Sequence, residues 1–325
     1  MRFGASCSLI FLVIAAFTLP GANADEPLEG PCVEDEVGHP TAGMAVTPPP
    51  VCKAGHGWTH GAGGWAHTCL VSFDQDLDCY GHDLYGQSTD RTTGNVLQVT
   101  AGEGFTCILL QLGDVVCQGL DVDGQAAGYA GGDAVAVAAG REHACAVLLS
   151  GLVTCWGSNE LGKAAPYTGG DAAAVTAGDD HTCILTTGGN VHCQGGDYLG
   201  QGQDYLIGDA VAVHAGDIHT CVLKSDGLTL CYGSNFYGQL VDASAGKAVA
   251  IATGGYHTCL LRANGDVDCQ GANESGQAMP YRGGDAVGLA LGRLHSCFFL
   301  AAGGVDCQGS NVVGQAMDPV ILPAI

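Results

Sequence analysis

Apolar residues in this chain come in short runs cut apart by glycine-rich turns, and beyond residue 60 the runs keep a fixed order. In one unit, His181-Thr182-Cys183-Ile184-Leu185 is followed by Thr187-Gly188-Gly189-Asn190 and then by Val191-His192-Cys193-Gln194. Two apolar runs around a link of Gly and Asn predict a β-hairpin. A third run at 209–213 leads into the next unit, with counterparts at 133–137, 171–175, 247–251 and 285–289. Each unit therefore predicts three short strands, and nothing predicts a long helix.

The units form a strict repeat. A first cysteine recurs every 38 residues, at Cys69, Cys107, Cys145, Cys183, Cys221, Cys259 and Cys297. A second follows ten residues later, at Cys79, Cys117, Cys155, Cys193, Cys231, Cys269 and Cys307. His67, His143, His181, His219, His257 and His295 stand two before the first cysteine, with Phe105 in the remaining unit. A glycine stands five before it, as at Gly64 and Gly178, and another stands two after the second cysteine, as at Gly195. Then come Asn or Asp, a free dipeptide and Gly-Gln, with Gly162-Lys163 the one departure. Mirror symmetry about residue 188 sets Cys183 opposite Cys193 in the hairpin. Opposed residues of a non-hydrogen-bonded antiparallel pair lie about 4.5 Å apart at Cα, within disulfide reach. Seven bridges inside units are expected.

A three-stranded unit cannot bury both of its faces. Units of this length that each contain an antiparallel hairpin fit radial stacking, so the expected fold is all-β, a seven-bladed β-propeller over 60–325. An open β-solenoid would have a parallel strand per rung and caps, and neither is visible. The stretch 57–64 lacks a valine-rich strand, whereas Val320-Ile321-Leu322 has one. The C-terminal tail is thus expected to complete the first blade.

Composition adds a cellular setting. Arg2, the apolar run 9–17 and Ala22-Asn23-Ala24 make residues 1–24 an expected secretory signal peptide, and no later stretch is apolar enough to span a bilayer. Cys7 leaves with it, and the even remainder of the seventeen cysteines points to disulfides in a secreted, periplasmic or extracellular protein. Cys32 and Cys52, in the expected arm or linker 25–59, would form an eighth bridge. The formal net charge of −23 sets the chain against nucleic acid and anionic membrane surfaces.

The run Ala-Gly-x-x-His-Thr-Cys-x-Leu, then Gly-x-Val-x-Cys-x-Gly-x-Asn-x-x-Gly-Gln, resembles the regulator of chromosome condensation repeat, nearest to its usual form over 145–162. The resemblance covers 60–325 and implies seven-bladed propellers that serve as protein-binding scaffolds. It is greatest to a secreted short-repeat branch, which includes a β-lactamase-inhibiting propeller with three-stranded blades. The nucleotide-exchange and chromatin roles of nuclear members do not carry over to an exported acidic chain without a basic tail.

Candidate sites follow from what varies within the repeat. The repeated histidines share a strand face with the cysteines and could ligate zinc only if those were reduced; in an exported chain they read as packing and hydrogen-bonding elements. The Asn or Asp after the second cysteine reads as a turn cap. The Asp that opens the third run, as at Asp133 and Asp285, blunts a strand end rather than forming an acidic ring. No metal, cofactor or catalytic motif is apparent. The free dipeptides, by contrast, are rich in apolar and aromatic residues. Tyr198, Phe236 and Tyr237 fall in neighbouring units and Tyr85 farther round, and Tyr is a frequent hot-spot residue. A second loop contributes Tyr129, Tyr167, Tyr205 and Tyr281, with inter-blade packing the competing reading. The expected function is a secreted, monomeric, non-enzymatic scaffold whose partner is a protein, with inhibition of an extracellular enzyme as one form of it. Binding of a surface glycan, through repeated equivalent Tyr or Trp pockets, is the alternative. Catalysis at a central polar pocket with perturbed carboxylates is the second.

Overall fold

The chain zigzags through seven hairpin-plus-strand units because each glycine-rich link turns it back on itself before a second face can be buried. A computed structural model describes residues 57–242 and 245–316. It shows seven three-stranded antiparallel sheets, each built from consecutive strands, in a seven-bladed all-β propeller. In the fourth blade the inner strand is Ala172–Ala177, the middle strand His181–Thr186 and the outer strand Val191–Gly195. Isolated bridges such as Val191 to Tyr205 add one residue of a fourth strand at the blade edge. No helix among the described residues is long and apolar enough to cross a membrane.

The paired cysteines stand directly opposite each other in all seven blades and are bonded, with Cα atoms 4.0–4.1 Å apart. Cys32 and Cys52, like the expected signal peptide and most of the arm, lie outside the described residues. Between blades, apolar side chains interleave: Cys183, Leu185, Val191, Tyr205, Ala210, Val213 and Val222 form one such cluster. Inner strands made largely of alanine, such as Ala134–Ala139, let the blades converge on the axis.

The first blade corrects the expected closure. Its inner strand is Trp58–Gly63, paired with His67–Ser72. The place reserved for Val320 to Leu322 is thus filled by the preceding sequence; the tail itself lies outside the described residues. Strand formation at Trp-Thr-His-Gly-Ala-Gly owes little to side-chain propensity. Ladder bonds to the middle strand and burial against the seventh blade supply what valines supply elsewhere. Trp58 N–H donates to the Gly303 carbonyl (3.0 Å) and Arg293 N–H to the Gly64 carbonyl (3.1 Å), so the ring closes blade to blade.

The repeated histidines are inter-blade fasteners. His67, His143, His181, His219 and His257 each meet, through Nε2, the hydroxyl of Thr106, Thr182, Thr220, Thr258 or Ser296 in the next blade, at 2.7–2.9 Å. His295 closes the circle on Thr68 at 2.6 Å. Each hydroxyl spends its proton on a carbonyl of the preceding blade, as Thr68 does on Gln315 (2.7 Å) and Thr182 on Lys163 (2.8 Å). The imidazole Nε2 must therefore be the donor, which leaves Nδ1 a bare, buried acceptor in all six rings. The glycine three residues earlier makes room. A Cβ on Gly178 would sit 2.4 Å from His181 Cε1 and 2.3 Å from the Gly216 carbonyl oxygen.

The exception is paired with a second one. Phe105 replaces histidine, and the residue that would face it, Ala144, replaces threonine; both are fully buried in one apolar cluster. Phe105→His should therefore bury a donor without an acceptor and cost about 1–3 kcal/mol, and adding Ala144→Thr should recover most of that loss. A thermal double-mutant cycle that shows no coupling would refute this account.

Candidate functional site

Two sets of variable residues reach one face of the ring. The inner strand ends there at the ring glycine, and the outer strand ends there at the dipeptide loop. Tyr237 packs on Tyr256, which stands beside the inner-strand end of the next blade, with ring centroids 5.5 Å apart.

Six of the seven dipeptide loops are clamped twice, and the loop before Lys163 keeps only its Asn159 clamp. The Asn or Asp accepts a backbone N–H five residues on, as Asp197 does from Gly202 (2.8 Å) and Asn235 from Leu240 (3.0 Å). The buried glutamine accepts the N–H two residues before it, as Gln201 does from Leu199 (2.9 Å) and Gln239 from Tyr237 (3.0 Å). Held at these points, the loops present their free side chains outward. Tyr198 is 77% exposed and Phe236 81%, while Tyr237 and Tyr85 are each 49% exposed. Packing between blades does not explain Tyr198 and Phe236, which are so open, whereas half-buried Tyr237 and Tyr85 each also touch the next blade. Leu199, Gly233, Ser234, Asn235 and Phe236 line a shallow pocket that joins the Tyr198 loop to the Phe236 loop. The Ser234 hydroxyl, at 4% residue exposure, has no hydrogen-bond partner there. Tyr85 stands apart, edge-on to His82 and beside Gly104.

The other tyrosines are structural. Tyr129 and Tyr167 donate to Asp133 (2.5 Å) and Asp171 (2.6 Å), and Tyr205 and Tyr281 to Asp209 and Asp285. Each pair ties the blade edge to the start of the next inner strand, which also occupies the aspartates that open it.

A second site escaped the sequence reading. The residues just after the ring glycines, Trp65, Glu103, Arg141, Asp179, Asp217, Gly255 and Arg293, encircle the mouth of a central cavity of about 280 Å³. Glu103 holds Arg141 at 2.6 Å. Arg293 lies 3.3 Å from Asp217, donates to the Tyr256 hydroxyl at 3.0 Å and covers the Trp65 ring at 4.9 Å. Burial and the neighbouring Asp217 push the Asp179 carboxyl up to about 7, and burial raises that of Asp217 as well. A buried Lys163, where the other units have glutamine, donates to the Asp179 carbonyl and to the Asp180 carboxylate, both at 3.2 Å. No group of three or more His, Cys, Asp or Glu side chains among the described residues is arranged to hold a metal ion. The signal for the mouth was present, since charge varies at one fixed repeat position, but only ring closure shows that these positions converge.

Comparison with known proteins agrees with this architecture. Residues 134–163, 172–201 and 248–277 match the regulator of chromosome condensation (RCC1) repeat. No curated protein matches the chain in sequence. Among solved structures it is similar to the CRINKLY WD40 ectodomain of the Arabidopsis thaliana receptor kinase ACR4, with a TM-score of 0.67 and 22% identity over 81% of this chain and 98% of that one. The entire ectodomain of the Physcomitrella patens receptor kinase CR4 gives 0.66 and 21% over 78% and 74%. Prp20p of Saccharomyces cerevisiae, described with its binding to Gsp1p and histones, gives 0.61 and 16% over 71% and 80%.

Proposed function

We propose that this chain of RCC1 repeats is an exported, disulfide-braced protein-binding scaffold whose partner docks on the face carrying Tyr198, Phe236 and Tyr237. The observation that carries this reading is a set of exposed aromatics on loops whose backbones are held by two side-chain clamps each. Such residues offer large apolar area at little ordering cost, the usual make-up of an interface anchor. The shallow pocket between Leu199 and Phe236 supplies a recess for a partner side chain. Seven bridges and the likeness to receptor ectodomains support an extracellular setting. Prp20p, a structural neighbour, is itself a protein binder. An acidic surface steers a basic partner toward the face, and inhibition of an extracellular enzyme is one outcome of such docking.

A glycan site would repeat the same aromatic pocket from blade to blade, whereas these dipeptides differ, as in Tyr198-Leu199 against Glu274-Ser275. Asp179 and Asp217 favour a second reading, catalysis at the centre, because buried carboxyls with raised pKa are what acid–base chemistry uses. The test is capture from the native secretome with wild type and with the variant Tyr198→Ala/Phe236→Ala/Tyr237→Ala. The variant should bind at least about 100-fold more weakly, with a Tm that barely moves, since exposed positions change stability by about 0.5 kcal/mol or less. Equal capture by both proteins refutes the assignment.

A further inference from the structure

One dipeptide loop breaks the apolar pattern of the others. Glu274-Ser275 is the only free dipeptide without an apolar residue, whereas the loop before it carries Phe236-Tyr237 and the loop after it Val312-Val313. The serine also completes a motif. Of the eight asparagines in the chain, Asn273 alone has Ser or Thr two residues on, and the Glu274 between them is not proline. Asn-x-Ser is the acceptor sequence for N-linked glycans on exported proteins.

The folded loop keeps that acceptor open. Asn273, Glu274 and Ser275 are all exposed. The Asn273 carbonyl accepts the Gly276 N–H at 3.1 Å, which makes 273–276 a β-turn, and Asn273 Oδ1 accepts the Ala278 N–H at 2.8 Å. A backbone N–H can bond only the oxygen end of the carboxamide, so Nδ2 stays outside the hydrogen-bonded turn and makes no hydrogen bond among the described residues. Gln277 takes the Ser275 N–H at 2.9 Å and leaves the Ser275 hydroxyl outside the clamp. The Cys259–Cys269 bridge ends before Asn273, so closing the blade does not enclose the acceptor in the covalent loop.

We infer that Asn273 carries an N-linked glycan. The transfer joins Asn273 Nδ2 to the anomeric carbon of an oligosaccharide carried on a polyprenyl diphosphate. The N–C bond forms as the bond from that carbon to the diphosphate oxygen breaks, and one amide proton leaves with the diphosphate. The inference rests on the export proposed above, because the lipid-linked donor is used on the exported side of the membrane. It does not rest on what docks at the aromatic face. The sixth blade follows the blade of Phe236 and Tyr237, so the glycan bounds the aromatic patch on the side away from Tyr198.

The test is peptide mapping of the native protein from its own source, with glycans released by peptide N-glycosidase in heavy-oxygen water. Asn273 is expected to return as heavy-oxygen aspartate. Asn159, Asn235 and Asn311, in equivalent turns without Ser or Thr two residues on, should return as asparagine. Made in the same source, Ser275→Ala should lose the glycan and Ser275→Thr should keep it. Neither change endangers the fold, since Leu199, Tyr237 and Val313 occupy the equivalent place in other blades. A bare Asn273 in the native protein overturns the inference, and so does a glycan that survives Ser275→Ala. The N-terminus read in the same map separates this failure from failure of the export reading. A chain that begins at Asp25 and lacks the glycan is exported all the same, whereas a bare chain that still begins at Met1 refutes both.

Discussion

Protein reduced in denaturant, alkylated and returned to native buffer should not regain its β-sheet spectrum or a cooperative thermal transition. Each bridge closes a loop between cysteines ten residues apart. In the chain-entropy model that is worth about 2–3 kcal/mol per bridge. Seven together approach about 20 kcal/mol, more than the roughly 5–15 kcal/mol that separates a typical folded domain from its unfolded chain. Inner strands rich in alanine and short hairpins leave each blade little apolar area of its own to bury. The first cysteine of every pair is fully buried between blades, so reductant acts only after a blade opens. Recovery of a native melting curve by the alkylated chain would show that inter-blade packing suffices without the bridges.

Acid should destabilise the propeller steeply. Burial holds the imidazoles of His67, His143, His219 and His257 down to about 3 and those of His181 and His295 to about 4, against 6.5 when exposed. Below 6.5 the unfolded chain therefore binds protons that the folded chain refuses, so stability is full above that value and falls as pH drops toward 4. With six such groups the slope approaches about 8 kcal/mol per pH unit. Asp179 and Asp217 act in the opposite sense, since their raised carboxyls take up protons in the folded state first, and return part of the loss. Replacing one fastener by the natural apolar pair, as His181→Phe/Thr220→Ala, should flatten the slope by about one proton. Melting temperatures that stay level from neutral pH to about 4 would contradict the buried neutral state.

The cysteine spacing alone identifies the blades, the in-blade bridges and the hairpin register, because these are local and recur at every unit. The turn-capping role of Asp83 to Asn311 and the packing role of the histidines follow from the same periodicity. What escaped the sequence was non-local. Histidine looks isolated until its hydroxyl partner, 39 residues on, is brought alongside, so the joint loss at Phe105 and Ala144 reads as two unrelated exceptions. The mouth residues follow a glycine and look like turn positions, and only closure of the ring gathers Asp179, Asp217 and Arg293. Trp58–Gly63 gives little strand signal because glycine and threonine stand where the other units carry valine or isoleucine. Tyr205 reads equally as a binding or a packing residue in sequence, because its bond to Asp209 forms only when the blade edge meets the start of the next inner strand.

The blade-to-blade seam also sets how the molecule answers to force. Among the described residues no strand crosses between the first and seventh blades, so tension applied at residues 57 and 316 falls first on the His295–Thr68, Thr68–Gln315 and Trp58–Gly303 contacts. Once that seam parts, blades can peel away one after another from either end. Each covalent hairpin stays shut as it leaves, so a blade pays out only the chain outside its ten-residue loop. Under load the protein behaves less like a knot than like a clasped bracelet, opening at one place and lengthening in equal, shortened links.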